Sequence, residues 1–268
     1  MDGFAADVQE DFRQMLLATS HDIKKHLRRK RLYIALLLSA ALPILFGLIP
    51  ELVGSGYPKN PEDYIKNTLG YVTLLVVIIV AFFSGDTISG EFETRTCYSI
   101  FATPQRRHSI FFGKHLSSLI IAMSMISLFY LVIYGEVVAV YGFEGATVEF
   151  FISYLIALLY TAGAMGLAVF FSSIMNSGMQ STLVTFFMLF LVFDIVSFVL
   201  MVAKVDPSFL ITYNAGLITN VYGAAPLEIP DFLTFTIPEY KKGVWVMTAY
   251  AIILPIIGVF TATRREVK

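Results

Sequence analysis

The sequence predicts an all-α integral membrane protein with six transmembrane helices. Hydrophobic residues make up 57% of the 268 residues and charged residues only 15%, so the chain lacks the charge that covers a soluble domain of this size. Its apolar residues lie in continuous runs without in–out alternation, which favours helices over a β-barrel. With 24 Phe, 14 Tyr and one Cys, the chain fits neither a disordered protein nor a disulfide scaffold.

Six apolar segments are each 17 to 25 residues long, close to the ~20 residues that a helix needs to cross a bilayer. Only two of the 39 charged side chains, Glu136 and Asp194, fall inside them. The predicted spans are Leu32–Pro50, Thr68–Ser84, Ser117–Tyr141, Phe150–Phe171, Leu183–Ala203 and Val244–Ala262.

The basic residues predict the orientation of the chain. With a cytoplasmic N-terminus, 14 of the 19 lysines and arginines lie on the inner side, as the positive-inside rule requires. We therefore expect a multi-pass plasma-membrane protein with both termini cytoplasmic and no nucleic-acid partner. The predicted organisation is a terminal helix (1–31), a transmembrane domain (32–262) with a cytoplasmic loop (85–116) and an outer loop (204–243), and a short tail (263–268).

The N-terminal segment has the pattern of an amphipathic helix. Its apolar residues recur at helical spacing, which places them on one face with charges on the other; they are Phe4, Val8, Phe12, Leu16, Ile23 and Leu27. We expect this helix to lie in the membrane interface, in contact with the lipid bilayer. The alternative is a tail helix packed on another protein.

The cytoplasmic loop is the most informative stretch. Glu91 and Glu93 follow Ser89-Gly90 and suit the positive end of a helix, and Pro104 predicts the end of that helix after roughly ten residues. Its apolar side chains either pack under the protein's own helices or form a knob for a cytosolic partner; they are Phe92, Tyr98, Ile100 and Phe101.

The loop also carries a motif. It reads Asp86-x-Ile88-Ser89-Gly90-Glu91-x-Glu93-x-x-Thr96 and then Pro104-x-x-Arg107-x-x-Ile110-x-x-Gly113-Lys114. This run resembles the signature between the second and third helices of type-2 ATP-binding-cassette exporter permeases, and the resemblance covers nearly the whole chain. Arg95-Thr96 stands where that family usually has Gly-Thr.

The resemblance implies a half-transporter that pairs with a second permease chain and recruits cytosolic ATPase subunits. The short helix around residues 89–96 would be the coupling helix that enters a groove of the ATPase. The coupling residues would be Asp86, Ser89, Gly90, Glu91, Phe92, Glu93, Arg95, Pro104 and Arg107. The chain contains no phosphate-binding Gly-x-x-x-x-Gly-Lys-[Ser/Thr], so ATP and Mg are expected in the partner and no cofactor in this chain.

Polar residues inside the spans have two interpretations. Asp194 either contacts substrate, ion or proton, or joins helices through Ser197. Ser124 and Ser127 form a polar line that suits helix packing or a substrate path. Glu136 is expected near the outer headgroups, where Gly135 marks a break in the helix.

Two further expectations concern the outer loop and the histidines. Phe209, Tyr213, Leu217 and Val221 recur at i, i+4 and predict a short helix within the loop of residues 204–243. The histidines and the acid Asp22 form no metal site and no catalytic group, and are expected to be solvated; the histidines are His21, His26, His108 and His115.

The sequence thus predicts a permease subunit that is not itself an enzyme. The resemblance implies an ATP-driven exporter. The Phe-rich spans suit a lipid, drug or other amphiphile as its substrate, but phenylalanine that faces acyl chains explains the same composition. The alternative is a membrane scaffold or passive channel without ATP coupling.

Overall fold

The computed structural model describes residues 2–52, 54, 56–96, 105–145, 147–223 and 237–265, with side chains from residue 9 onward. These residues form helices and turns and no strand. Six helical segments are long and apolar enough to cross a membrane, which confirms the predicted fold class. They are span 1 (Lys30–Leu52), span 2 (Pro61–Phe83), span 3 (Arg107–Tyr141), span 4 (Val148–Ile174), span 5 (Gly178–Val202) and span 6 (Tyr240–Arg264).

Span 2 consists of two helices and span 3 of one continuous helix. The sequence predicts the reverse, an unbroken span 2 and a break in span 3. Span 2 consists of Pro61–Leu69 and Val72–Phe83, with a break at Gly70 and Tyr71. Proline is well suited to the first turn, where its missing N–H has no helical partner. Span 3 runs without interruption through Gly135, so the predicted break there is wrong.

Spans 2 and 4 form the centre of the bundle. Within the 18-residue apolar stretch of span 4, 67% of the residues are buried, whereas the corresponding share in span 5 is 17%. Ala164 and Ala168 are fully buried, and a β-carbon built on Gly166 lies 2.5 Å from the Tyr250 carbonyl oxygen of span 6. The small residues of span 4 therefore let two backbones approach closely, as the packing interpretation predicts.

The two ends of the bundle differ in character. We call the end that carries Asp2–Leu27, residues 84–96 and the start of span 3 the loop end. The opposite end carries two short helices, Ile211–Ala215 and Leu217–Asn220, whose residues are mostly buried against the spans. This confirms a helix within the outer loop, and residues 224–236 lie outside the described residues.

The N-terminal helix, Asp2–Leu27, packs on span 3 through its polar face. Thr19 is buried and donates from its hydroxyl to the Gly113 carbonyl oxygen at 3.1 Å. Phe12 and Leu16 of the predicted apolar stripe are 57% and 46% exposed. The stripe thus faces away from the protein, which suits contact with lipid.

The loop after span 2 begins with a helix of five residues, Ser89–Glu93, which we call the loop helix. It is shorter than the predicted ten residues because the chain turns at residues 94–96, where Arg95 has a positive φ of 56°. A side chain in this conformation costs ~1–2 kcal/mol. Pro104, the predicted end of the helix, lies outside the described residues.

Candidate functional site

The loop helix is held to the bundle by a cluster of ionised side chains at the loop end. The Glu91 carboxylate accepts hydrogen bonds from Lys114 of span 3 at 2.6 Å and from Lys25 of the N-terminal helix at 2.9 Å. Thr96 donates a further hydrogen bond to it. Since Glu91 and Lys114 are each 8% exposed, their pairing takes place largely out of water.

Asp22 extends this cluster within the N-terminal helix. Its carboxylate lies 3.2 Å from His26 Nε2 and 3.7 Å from Lys114 Nζ, and it accepts a hydrogen bond from the Ser117 hydroxyl. Lys114 therefore lies between two carboxylates on different elements. We call Asp22, Lys25, His26, Glu91 and Lys114 the charge cluster.

The pairing changes the proton affinity of both carboxyl groups. Burial alone raises the pKa of Glu91, but the Lys114 ammonium and the hydrogen bonds from Lys114, Thr96 and Lys25 outweigh it and lower that pKa to about 2. Burial likewise raises the pKa of Asp22, and hydrogen bonds from His26 and Ser117 together with the Lys114 charge lower it well below its usual range. Both groups are thus carboxylates at neutral pH.

Glu93 connects the loop helix to the start of span 5. Its carboxylate accepts a hydrogen bond from the Gly178 backbone N–H at 2.7 Å and from the Ser177 hydroxyl at 2.9 Å. An acid at this place satisfies an unpaired N–H and faces the positive end of the helix dipole. Glu93 therefore caps another helix, not the one in which it lies.

Asp86 connects the loop to span 1. Its carboxylate lies 2.8 Å from the Arg31 guanidinium and 4.0 Å from that of Arg29. Asp86 precedes the loop helix by one turn, so this ion pair fixes the direction in which the loop leaves span 2.

Ser89 attaches the loop helix to span 4. The Ser172 hydroxyl oxygen accepts hydrogen bonds from the backbone N–H groups of Ile88 and Ser89, both at 3.0 Å, and lies 3.1 Å from the Ser89 hydroxyl. All of these groups are buried. The Ser172 hydroxyl thus accepts the hydrogen bonds that the first N–H groups of the loop helix would otherwise donate to water.

Phe92 completes the contacts by packing on spans 3, 4 and 6. It is 9% exposed, and its ring lies 6.4 Å from that of Phe111 and 4.6 Å from the Arg265 guanidinium. It shares a buried cluster with Val169 and Val259. Of the two interpretations of the loop's apolar residues, internal packing holds for Phe92; Tyr98, Ile100 and Phe101 lie outside the described residues.

The remaining loop residues are exposed or only half-buried. Gly90 is half-buried and close to Asp86 and Gly178, and Arg107 is exposed at the start of span 3. Arg95 is exposed at the turn after the loop helix.

An open cleft of about 680 Å³ is lined by the loop helix, by the junction of the N-terminal helix with span 1 and by the start of span 5. Its lining carries equal numbers of acids and fixed cations. These are Asp22, Asp86, Glu91 and Glu93, and Lys25, Arg29, Arg31 and Lys114. The fixed charges that line the cleft therefore balance, so the cleft has no net preference for anions.

The prediction that the histidines and Asp22 are solvated is wrong for three of the five residues. Asp22, His26 and His115 are 6%, 5% and 8% exposed. They are buried because the polar face of the N-terminal helix packs against another polar surface with matching charges. Among the residues that the structure describes, no group of three His, Cys, Asp or Glu side chains could hold a metal ion.

Sequence reasoning also missed Ser172, Ser177 and Lys25 as partners of the loop. Lys25 belongs to a run of basic residues that by itself predicts only the orientation of the chain. Ser172 and Ser177 lie near the ends of apolar spans, where the surrounding sequence does not indicate what they bind. Only the fold brings these residues to the loop helix.

The polar residues inside the spans mostly bond to their own helix. Ser124 and Ser197 donate to the carbonyl oxygens of Ile120 and Phe193, both at 2.8 Å. The predicted bond between Ser197 and Asp194 is therefore not the one that Ser197 makes. Ser127 donates to the Met123 carbonyl oxygen at 2.8 Å and lies 2.7 Å from the Tyr154 hydroxyl.

The two intramembrane acids lie in different surroundings. Glu136 is half-buried towards the opposite end and accepts a hydrogen bond from the Tyr64 hydroxyl at 3.0 Å. Asp194 is exposed on span 5, next to the buried Thr212. In a single chain, Asp194 is thus an exposed residue of the least buried span, with its carboxylate beside the Thr212 hydroxyl.

The fold and the loop define a multi-pass membrane protein in which a short helix at one end of a six-span bundle contacts the ends of the other spans. The family model of the ABC-2 family transporter proteins matches residues 3–243. The chain therefore belongs to this family of membrane transporter components, which confirms the resemblance seen in the loop motif. No curated protein matches the chain significantly.

Proposed function

We propose that this chain is the permease subunit of an ATP-driven exporter that works with a separate cytosolic ATPase and a second permease chain. Its membership of the ABC-2 transporters supports a role in transport. The sequence lacks a phosphate-binding Gly-x-x-x-x-Gly-Lys-[Ser/Thr], which supports the proposal that a partner chain binds ATP and Mg. The excess of lysines and arginines at the loop end supports a cytoplasmic position for that end, in a chain that we propose lies in the plasma membrane.

The observation that carries the proposal is the set of contacts made by residues 86–93. This segment continues span 2 and binds the ends of the five other spans through Arg31, Lys114, Ser172, Gly178 and Arg265. A displacement of the loop helix by a docked ATPase therefore acts on every span at once. A loop that only connected spans 2 and 3 would not need such contacts.

The second chain would cover span 5. This span leaves Phe187, Phe190 and Phe198 exposed beside the Asp194 carboxylate, and a carboxylate facing lipid costs ~2.5–3.5 kcal/mol on insertion scales. Burial against a second chain, or in a path between the two chains, removes this cost.

Cross-linking tests this interface. In a Cys97→Ser background, Phe198→Cys should give a disulfide-linked dimer under mild oxidation, because the residue lies one turn from Asp194. Leu131→Cys is the control, since Leu131 of span 3 is at least as accessible, with 67% exposure against 56% for Phe198. Equal cross-linking of the two variants would place the second chain elsewhere.

The whole proposal is tested by ATP turnover. The full-length chain is reconstituted with the ATPase that co-purifies with it, and hydrolysis is measured against lipids, drugs, peptides and ions. We expect ATP hydrolysis to depend on the presence of the chain and to be stimulated by one substrate class. If the Asp194 carboxylate contacts the substrate, Asp194→Asn should reduce that stimulation. An ATPase that neither binds the chain nor responds to it leaves the scaffold or passive channel as the function.

A further inference from the structure

Arg95 adopts a backbone conformation that favours glycine. Its φ is 56°, and only one other non-glycine residue in the described ranges, Lys204 with φ 58°, has a positive value. In this region the β-carbon of any side chain approaches the backbone too closely, whereas glycine avoids the contact. A long side chain at such a place points to a use for the side chain itself.

Within the described part of the chain, nothing uses the Arg95 side chain. It is exposed, and no hydrogen bond or ion pair of it is found among these residues. The two acids of the loop helix are already paired, Glu91 with Lys114 and Glu93 with the Gly178 N–H. The guanidinium charge is therefore available to a partner outside this chain.

Arg95 also lies in an exposed part of the described loop. Ser89, Glu91 and Phe92 are buried against the bundle, whereas residues 93–96 are exposed. The turn that Arg95 forms is thus the surface that a protein approaching the loop helix would meet.

We propose that Arg95 binds a carboxylate of the ATPase and thereby selects an ATPase whose docking groove is acidic. This inference rests on the proposed function. The planar guanidinium presents a fork of N–H donors that matches a carboxylate in a bidentate pair. Such a contact adds specificity, because an ATPase with a basic or apolar groove leaves the charge unpaired.

Anionic lipid headgroups are the other source of negative charge at this end of the molecule. The cations placed to meet them are Lys24, Arg28 and Lys30, which adjoin the exposed apolar residues Leu27 and Ile34. Arg95 stands between two exposed threonines, and the apolar residue nearest to it in the described sequence, Phe92, is buried against the bundle. This difference favours a protein partner for Arg95.

The test compares Arg95→Gly with Lys204→Gly. Both variants remove a cation from a positive-φ position, so both should fold and unfold at or above the wild-type temperature. The ATPase is first isolated in complex with the full-length chain, and is then rebound to each variant in nanodiscs of phosphatidylcholine alone. We expect Arg95→Gly to raise the Kd at least tenfold and to flatten its salt dependence, and Lys204→Gly, at the opposite end, to bind as the wild type does.

A charge exchange identifies the partner group. Arg95→Glu should weaken binding further than Arg95→Gly, and reversal of one acidic residue in the ATPase groove to arginine should restore it. The inference is overturned if Arg95→Gly binds within twofold of the wild type, or if its defect appears only in nanodiscs that contain anionic lipid. A wild-type chain that binds no ATPase overturns the proposed function as well, whereas a bound ATPase that is indifferent to Arg95 overturns this inference alone.

Discussion

The Lys114 ammonium lies 2.6 Å from the Glu91 carboxylate, and about nine-tenths of each side chain is buried. This pair joins the loop helix to span 3, and Lys25 adds the N-terminal helix to the same carboxylate. Buried ions have lost much of their hydration. Removal of one partner therefore lowers the free energy of unfolding by more than the intact pair contributes to it, because the other charge is left buried and unpaired. The pair thus keeps three elements in one arrangement at the loop end.

Glu91→Gln should destabilise the chain by on the order of 3 kcal/mol, because it leaves the buried Lys114 charge with only the more distant Asp22 as an ionic partner. The thermal unfolding midpoint in mild detergent measures this effect. Glu10→Gln is the control, since Glu10 pairs with Arg13 on an exposed surface and its loss should leave the midpoint unchanged. Equal midpoints for Glu91→Gln and the wild type would contradict the structural role of the pair.

The stability of the chain should fall in acid, partly through Glu91. The folded chain lowers the pKa of Glu91 from 4.5 to about 2, so between these values the unfolded chain binds a proton that the folded chain does not. The stabilisation by Glu91 is therefore complete above pH ~4.5 and is lost as the pH falls towards 2, by about 1.4 kcal/mol per unit.

A comparison of unfolding midpoints across this pH range isolates the contribution of Glu91. As the pH falls, the unfolding midpoint of the wild type should decrease more steeply than that of Glu91→Gln. Asp22, whose pKa is also lowered, contributes the same decrease to both proteins. Parallel profiles for the two proteins would show that Glu91 is not ionised and paired in the folded chain.

Ser172→Ala should destabilise the loop helix by about 1–3 kcal/mol, because the backbone N–H groups of Ile88 and Ser89 lose their acceptor in a buried place. Ser173→Ala is the matched control. The Ser173 hydroxyl donates only to the Phe170 carbonyl oxygen of its own helix, at 2.7 Å. Amide hydrogen exchange of residues 86–93 should rise in the first variant and not in the second; a rise in both, or in neither, would contradict this attachment.

Gly113→Ala should displace the N-terminal helix from span 3. A β-carbon at Gly113 would lie 2.7 Å from both the Met15 carbonyl oxygen and the Ala18 β-carbon, and such overpacking costs about 1–3 kcal/mol. Protease sensitivity of residues 9–27 measures the displacement.

Gly135→Ala in the same span serves as the control. No atom lies within 4 Å of a β-carbon there, so alanine should stabilise span 3 by about 0.5–1 kcal/mol. If both variants kept the N-terminal helix protected, the close approach at Gly113 would not be essential.

The spans were predictable because a bilayer imposes length and apolarity on every crossing segment. The partners of the loop helix were not, since Ser172 and Lys25 are 83 and 66 residues away from the loop residues that they bind. One sequence contains no record of such pairings. The acids of the loop motif, Asp86, Glu91 and Glu93, all bind other elements of the fold, and their role in coupling to an ATPase stays a prediction.

The errors have physical causes as well. Asp22 and His26 were expected in water because they lie on the polar face of the N-terminal helix, but that face packs against the charged start of span 3. The loop helix was expected to be longer because arginine gives no sign of the positive φ that ends the helix at Arg95. Phe12, Leu16 and Leu27 of the predicted apolar stripe are exposed, and the contact of this stripe with lipid stays a prediction.

The central claim is that the loop helix transmits movement of the ATPase to all six spans, and a distance measurement between spin labels tests it most directly. In a Cys97→Ser background, labels at Glu144 and Lys241 report on the opposite end, where both residues are exposed. Trapping the reconstituted complex with ATP and vanadate should shift the distance between these labels, and Ser172→Ala should reduce the shift. An unchanged distance in a complex whose ATPase is bound and trapped would contradict the account.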